Sequence, residues 1–383
     1  MNEALIFSKG SGAIPDVKLH PIKGIVWSSV LVALFAMAVS PVTGAPQKKI
    51  DLVKYTEPNQ IFTLDRPAEW YVLAVPNVGQ RSFIFSKQKR TAQDLTKAYK
   101  PEAELRIKLF RLNQDDMKMT REALVKRYMQ YLTQVYKQLH FSLSYKIEED
   151  QEISDRAASR VATYCKGTET DIWITTANGI FVKLTANYDS TVKQEAQPLL
   201  ERMARSFQLL PSPKPLSLVP FDIGIGDIHL QVPKKWHVNL WRQKSLAQFF
   251  ISREKISKPK DMFEVGITIN VFKDVTKTWG KQGVSAGNFL SLWTKTFFKQ
   301  TTDMHGKIFV FKTLDISGLP ATFMERSYPY QGGCLNGFIQ EYHVSVMHGV
   351  TLIDMVLEAP VMEFENYRPT FDAIIKSLQN PGK

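Results

Sequence analysis

The chain has 383 residues, of which 44% are hydrophobic and 22% are charged. This composition excludes a disordered protein, and the length is sufficient for two or three ordinary domains. Lys and Arg number 49 against 37 Asp and Glu, which gives a formal net charge of +12, and there are two cysteines. A collagen-like chain and a small scaffold held together by disulfides are therefore excluded as well.

The first 50 residues differ in character from the rest. Between Lys23 and Lys48 lie 24 residues without a charge, and the most apolar part runs from 25 to 39. A basic flank, a short apolar core and small residues up to Gly44 are typical of a secretory signal, so we expect residues 1–44 to be removed. An uncleaved membrane anchor is the alternative, because 24 residues in a helix would reach about 36 Å. Both interpretations predict export to the periplasm or the cell envelope.

The remaining sequence contains one unit twice. The segment that begins at Ile61 aligns without a gap onto the segment that begins at Asp227, and later blocks align at offsets between 162 and 171. The ordered matches indicate two domains, at 52–210 and 221–380. The matched pairs include Pro67 with Pro233, Trp70 with Trp236, Phe110 with Phe272, Ile153 with Ile316, and Ser206 with Ser377.

A proline-rich spacer separates the two copies. The segment LPSPKPLSLVP, from 210 to 220, contains four prolines in eleven residues. Proline at this density continues neither a helix nor a central strand, so we expect residues 211–220 to form an extended, stiff linker.

The predicted elements follow the same order in both copies. In the first copy, short alternating strands near 61–64, 70–75 and 83–86 precede a longer strand at 104–110 and a helix that Thr120 should cap. In the second copy, the helix from Ser285 precedes strands near 309–315, 322–328, 338–347 and 351–357. A final helix closes each copy. This order predicts an α+β protein of two tandem α/β/α sandwich domains, each a mainly antiparallel sheet covered by helices.

The order of elements, together with the motif P-x-x-W, resembles the PsbP-like fold. Pro67 and Trp70 carry the motif in the first copy, and Pro233 and Trp236 carry it in the second. The resemblance implies the fold and a non-enzymatic accessory or binding role, since most members are accessory subunits or binding proteins. It does not extend to the photosynthetic role, because no plastid-type transit segment and no match to the photosystem contacts is present. We expect both tryptophans to pack between sheet and helix.

A basic run recurs just after the second hairpin strand of each copy. Such a run could form an electropositive loop that docks on an anionic envelope component or an acidic protein, whereas a merely solvated hairpin tip is the alternative. Nucleic acid is not expected as a partner, and the N-terminal segment could add membrane association. The candidate binding residues are Lys87, Lys89, Arg90, Arg253, Lys255, Lys258 and Lys260.

The sequence offers one alternative of a different class. Glu341 and His343 are two apart on a predicted strand and should share a face, so an envelope hydrolase with a site at this pair is the second hypothesis. Cys165 and Cys334 fall one in each copy, out of register, and could be bonded or free. No catalytic motif, metal-binding motif or cofactor fingerprint is recognised, so no cofactor and no metal are predicted.

Overall fold

The computed structural model describes residues 50–96, 102–165, 168–225, 228–256, 263–279, 285–332 and 335–379. The predicted signal or anchor, residues 1–44, lies outside these ranges. Across the described ranges, no helix combines the length and the apolar character needed to cross a bilayer.

The first domain is built on a seven-stranded antiparallel sheet. Its strand order is β3-β4-β5-β9-β8-β7-β6, and β1, β2 and β10 form a smaller sheet beside it. The elements are β1 (Leu52–Thr56), β2 (Phe62–Pro67), β3 (Tyr71–Asn77), β4 (Gln80–Ser86), β5 (Ala103–Arg111), α1 (Arg121–Gln138), β6 (Ser144–Ile153), β7 (Arg156–Cys165), β8 (Thr168–Ala177), β9 (Ile180–Tyr188), α2 (Lys193–Arg205) and β10 (Gln208–Leu209).

The second domain repeats the large sheet strand for strand. Its large sheet has the order β13-β14-β15-β19-β18-β17-β16, and β11 pairs with β12 beside it. The elements are β11 (Leu218–Asp222), β12 (His229–Pro233), β13 (His237–Arg242), β14 (Leu246–Ser252), β15 (Gly266–Phe272), α3 (Val275–Trp279), α4 (Ala286–Asp303), β16 (Lys307–Ile316), β17 (Leu319–Gly332), β18 (Leu335–His348), β19 (Thr351–Pro360) and α5 (Phe364–Gln379).

Each large sheet is covered on both faces, because its central strands carry apolar residues on both sides. In the first domain, α2 and the small sheet cover one face around Phe62 and Leu200, while α1 covers the other around Val125. In the second domain, α5 and the β11–β12 pair cover one face, and α4 covers the other. The predicted α+β fold with two domains is therefore confirmed.

The two copies also share individual hydrogen bonds. The hydroxyl of Ser206 accepts from the N–H of Asp65 at 2.9 Å, and the hydroxyl of Ser377 accepts from the N–H of Gln231 at 3.2 Å. Each bond ties the final helix to the small sheet of its domain. Because donors and acceptors match at the offsets found in the sequence, the repeat extends to the detail of the packing.

The two tryptophans pack as expected. Trp70 is 5% exposed within the first core, and Trp236 packs, partly buried, against the second core. In both copies the backbone N–H of the tryptophan donates to the backbone carbonyl of the motif proline at 3.1 Å. The motif therefore closes the same tight turn twice.

Two local expectations meet different outcomes. Thr120 caps α1, since its hydroxyl accepts from the N–H of Ala123 at 3.3 Å, whereas Ser285 at the start of α4 makes no such bond. The strand β11 begins at Leu218, inside the segment that was expected to be spacer. Proline is tolerated there because β11 pairs on one side only.

Candidate functional site

The loop after the second hairpin strand has the same geometry in both domains. The hydroxyl of Ser86 donates to the carbonyl of Gln88 at 2.7 Å, and that of Ser252 donates to the carbonyl of Glu254 at 2.6 Å. The first cation of each run meets an equivalent acid: Lys87 pairs with Glu102 at 2.8 Å, and Arg253 pairs with Glu264 at 3.3 Å. The loop is thus a fixed feature of the repeated unit.

The loop of the first domain presents less positive charge than the sequence indicated. Arg90 is 9% exposed, and its Nη1 lies 2.5 Å from Oε2 of Glu104, a carboxylate that is itself buried. This arginine therefore neutralises an interior acid and does not belong to a surface patch. Lys87 and Lys89 are both exposed, and Glu102 neutralises Lys87 in part.

The loop of the second domain keeps more of its charge. Arg253 contacts three carboxylates and donates to the hydroxyl of Tyr367 at 2.9 Å, so it holds the base of the loop. Lys255 is exposed just beyond it. Lys258 and Lys260, predicted to extend the basic run, lie outside the described residues.

Glu341 and His343 share one face of β18, as the alternation of the strand predicts, and both lie under α4. They are 1% and 3% exposed. Glu341 accepts from the hydroxyl of Tyr328 at 2.8 Å and is ion-paired with Arg326. Glu358, opposite Glu341 on β19, has its pKa raised to about 8, because burial and the neighbouring carboxylate disfavour its charge.

A second polar group continues this cluster. Nε2 of His343 lies 2.5 Å from Oδ1 of Asp354, which also accepts from the hydroxyl of Ser345 at 2.8 Å and from Trp293 at 2.9 Å. Burial opposes the charge of Asp354, but His343 and the two other donors hold its pKa below its usual range. Serine and histidine bond the same carboxylate oxygen, so the histidine is not placed to activate the serine. Nδ1 of His343 has no hydrogen-bond partner within the described residues. The whole cluster is buried beneath α4, and this burial gives no support to a hydrolase site.

The two domains are joined by a buried ionic network, which we call the interdomain lock. Arg111, the last residue of β5, donates from Nε and Nη2 to the two carboxylate oxygens of Glu325 in β17, each at 2.8 Å. Glu325 is 1% exposed and accepts further bonds from Gln340 and Arg368, each at 2.8 Å. Burial opposes ionisation, but Arg368 and Arg111 hold the pKa of Glu325 below its usual range.

A second acid extends the lock along α5. Glu365 is bonded to Arg368 at 2.8 Å and lies 3.8 Å from Arg81 of the first domain. Burial opposes its charge, but Arg368 and Arg81 lower its pKa to about 2. Arginines and glutamates from the two domains therefore alternate through the interface. Arginine is well suited to the bidentate pairing that Arg111 makes with Glu325.

The contact beside the lock leaves no room for a side chain. Gly79, in the β3–β4 turn with φ +58°, donates its N–H to the hydroxyl of Ser327 at 3.2 Å. A Cβ at this position would overlap the ring of Phe309, whose carbonyl accepts from the N–H of Gln114 at 2.7 Å. A cavity of about 220 Å³ lies nearby, lined by the segment 209–213 at the start of the spacer and by residues of both domains.

The lock was missed by the sequence analysis. The sequence feature that could have indicated the lock is a polar residue within an apolar strand, such as Glu325 close to Phe323 and Met324. Of the cysteines, Cys165 carries a free thiol and Cys334 lies outside the described residues. Within the described ranges, no group of three or more His, Cys, Asp or Glu residues is arranged to hold a metal ion.

The chain was compared with known proteins. No family model matches it, and no curated protein matches it. Among solved structures, CyanoP, the cyanobacterial PsbP of Synechocystis sp. PCC 6803, is 13% identical with a TM-score of 0.31, over 45% of this chain and all of its own. The immunity protein TplEi of the T6SS of Pseudomonas aeruginosa is 9% identical with a TM-score of 0.21, over 85% of this chain and 96% of its own. The two seven-stranded antiparallel sheets fit the predicted tandem PsbP-like domains, a resemblance of fold alone.

Proposed function

We propose that the protein is an exported, non-catalytic binding protein of the cell envelope that holds an anionic partner through the loop after β14. The observation that carries this proposal is the exposed Lys255, which opens a run continued in the sequence by Lys258 and Lys260. Because Ser252 and Arg253 fix the base of the loop, the exposed Lys255 follows a rigid stem. Such a cluster attracts anionic surfaces at low ionic strength.

Three further observations support a binding role. The formal net charge of +12 favours acidic partners. The interdomain lock holds the two domains as one platform, which suits an accessory protein. Glu341 and His343, the residues of the hydrolase hypothesis, are enclosed in the second domain, so no observation favours that alternative.

Charge reversal of the loop tests the binding site. The variant Lys255→Glu/Lys258→Glu/Lys260→Glu should lose flotation with phosphatidylglycerol vesicles at low salt, and high salt should release the parent protein. A matched control reverses three exposed lysines elsewhere, Lys126→Glu/Lys137→Glu/Lys214→Glu, with the same change in net charge. Equal binding by both triple variants would refute the site. An acidic protein partner would show itself as salt-sensitive co-purification from envelope extracts, lost in the first variant only.

Export is tested separately. We expect the protein isolated from its own envelope to begin at Ala45, after removal of residues 1–44. Intact-mass measurement distinguishes this form from the uncleaved anchor, which would retain the apolar segment 25–39. Recovery of the full-length protein from the cytoplasm would contradict the proposal.

A further inference from the structure

The strand β13 forms an outer edge of the large sheet in the second domain. It stands first in the strand order, and among the described strands it pairs with β14 alone. Its other side therefore presents backbone N–H and C=O groups that no described strand pairs. A row of such groups is a template for the addition of a further strand.

The other three edges of the large sheets carry features that oppose strand addition. The edge strand β3 contains Pro76 and contacts β18 of the second domain. The register of the edge strand β16 shifts, and its Phe309 carbonyl accepts from the N–H of Gln114 in the first domain. The register of β6 shifts after Glu148. Proline, irregular register and covering contacts protect sheet edges, whereas β13 contains no proline and keeps one register from end to end.

The strand β13 also carries an exposed apolar row. Val238 is 46% exposed and Leu240 is 41% exposed, and the two lie on one face of the strand. Their register partners on β14, Ile251 and Phe249, belong to the core of the second domain. The apolar face of the core thus continues to the rim of the sheet, where an added strand would cover it.

The edge of the first domain differs at the equivalent positions. At the offset of 166, Val72 corresponds to Val238 and is partly buried against the first core. Ala74 corresponds to Leu240, and the next residue on this face of β3 is Pro76. The fold therefore does not require an exposed apolar row at this edge.

Cations flank the apolar row at both ends. Lys234 and Lys235 precede β13, Arg242 ends it and Lys244 follows it, and all four are exposed. Within the described part of the chain, none of the four takes part in an ion pair. A segment with basic ends is therefore repelled from this edge, whereas a segment with acidic ends is attracted.

The same charges disfavour a second copy of this chain as the occupant. Antiparallel pairing of β13 with β13 of another copy would set Lys235 opposite Lys244, and like charges opposite one another destabilise a sheet. The acidic strand β6 of another copy shifts register after Glu148, so it does not offer six residues in one register. The sequence before residue 50 carries Lys48 and Lys49, which the edge would repel. These observations favour an acidic segment of another protein.

We propose that β13 is a docking edge for an extended segment of a partner protein, which adds to the seven-stranded sheet as a further strand. Alternate apolar residues of the segment cover Val238 and Leu240, and acidic residues at its two ends meet Lys235 and Arg242. This site goes beyond the anionic surface proposed for the loop after β14, because backbone pairing and apolar contact define it and Lys255 does not.

The test uses a fluorescent peptide in which valine alternates with threonine between paired glutamates, Glu-Glu-Val-Thr-Val-Thr-Val-Glu-Glu. Fluorescence anisotropy measures its affinity for the mature chain, and hydrogen exchange measures protection of the amides at 237–242. We expect saturable binding with slower exchange in this strand. Val238→Thr/Leu240→Thr keeps strand-forming residues and should weaken binding about tenfold or more. The matched control Val53→Thr/Tyr71→Thr changes comparably exposed residues on edge strands of the first domain and should alter binding by less than about twofold.

Charge reversal at the ends of the row gives a second measurement. Lys235→Glu/Arg242→Glu should weaken binding of this peptide about tenfold or more, and should favour a peptide with lysines in place of the glutamates. The loop variant Lys255→Glu/Lys258→Glu/Lys260→Glu, which should lose vesicle binding, should still show protection of β13 at saturating peptide. The docking edge and the anionic surface of the loop therefore fail independently of each other.

Three results would overturn the docking edge. The first is absence of peptide binding by the parent, or binding that leaves exchange in β13 unchanged. The second is parent-like affinity in both the apolar and the charge-reversal variants. The third is self-association of the parent that Val238→Thr/Leu240→Thr abolishes, which would assign this edge to a second copy of the chain.

Discussion

Replacement of Arg111 by methionine should uncouple the two domains. The substitution removes two charge-assisted hydrogen bonds of 2.8 Å to Glu325, which is 1% exposed. Breaking a buried ion pair typically costs about 3–5 kcal/mol. Glu325 keeps its bonds from Arg368 and Gln340, so we expect the lower end of this range, about 3 kcal/mol at the interface.

Urea unfolding followed by tryptophan fluorescence measures this effect, because each domain contains tryptophan. We expect the parent protein to unfold in one transition and Arg111→Met to unfold in two, since the bidentate Arg111–Glu325 pair of the lock is lost. Arg205→Met is the control, because Arg205 pairs with Glu201 on the solvent-exposed side of α2 and should cost less than about 1 kcal/mol. A single transition in Arg111→Met, with a loss no larger than that of the control, would refute the reasoning.

Two further predictions concern the second core and the repeated motif. Trp70→Ala should cost about 3–5 kcal/mol in urea unfolding, and Trp236→Ala should cost less, because Trp70 is 5% exposed whereas Trp236 is only partly buried; equal losses would contradict this difference in packing. Glu358 has a folded-state pKa of about 8 against an ordinary value of 4.5, so the stability it contributes is complete below about pH 4.5 and is lost as the pH rises to 8. Glu358→Gln stays neutral, and its melting temperature should fall less than that of the parent between pH 5 and pH 8; parallel curves would show that Glu358 does not titrate in this range.

The sequence predicted the architecture because the repeat supplies two independent samples of one pattern. Alternation marks the strands, the Pro and Trp of each motif mark the same turn, and the dense prolines mark the region between the copies. Sequence patterns specify local structure and burial, and both are nearly the same in the two copies. The face shared by Glu341 and His343 followed from strand alternation alone.

The same reasoning could not find the partners of individual charges. Arg90 lies in a basic run of the sequence that was expected at the surface. Its side chain instead turns inward, because it forms an ion pair with the buried carboxylate of Glu104. Arg111 and Glu325 are 214 residues apart, and nothing local distinguishes their pairing from other strand charges. The burial of His343 depends on how α4 crosses the sheet, which no periodicity specifies. Tertiary pairing decided each of these positions.

The lock has a consequence for how many units the chain can join. A duplicated domain could in principle be added again and again, as in solenoid proteins, where every junction is alike. Here each residue of the interdomain lock occurs in one copy only. The first domain supplies the donor Arg111 and the second domain supplies the acceptor Glu325. A third domain of either kind would therefore find no matching partner for this contact. At the offsets of the repeat, the counterparts are Lys273 for Arg111, Ala162 for Glu325, Gln194 for Glu365 and Gln197 for Arg368.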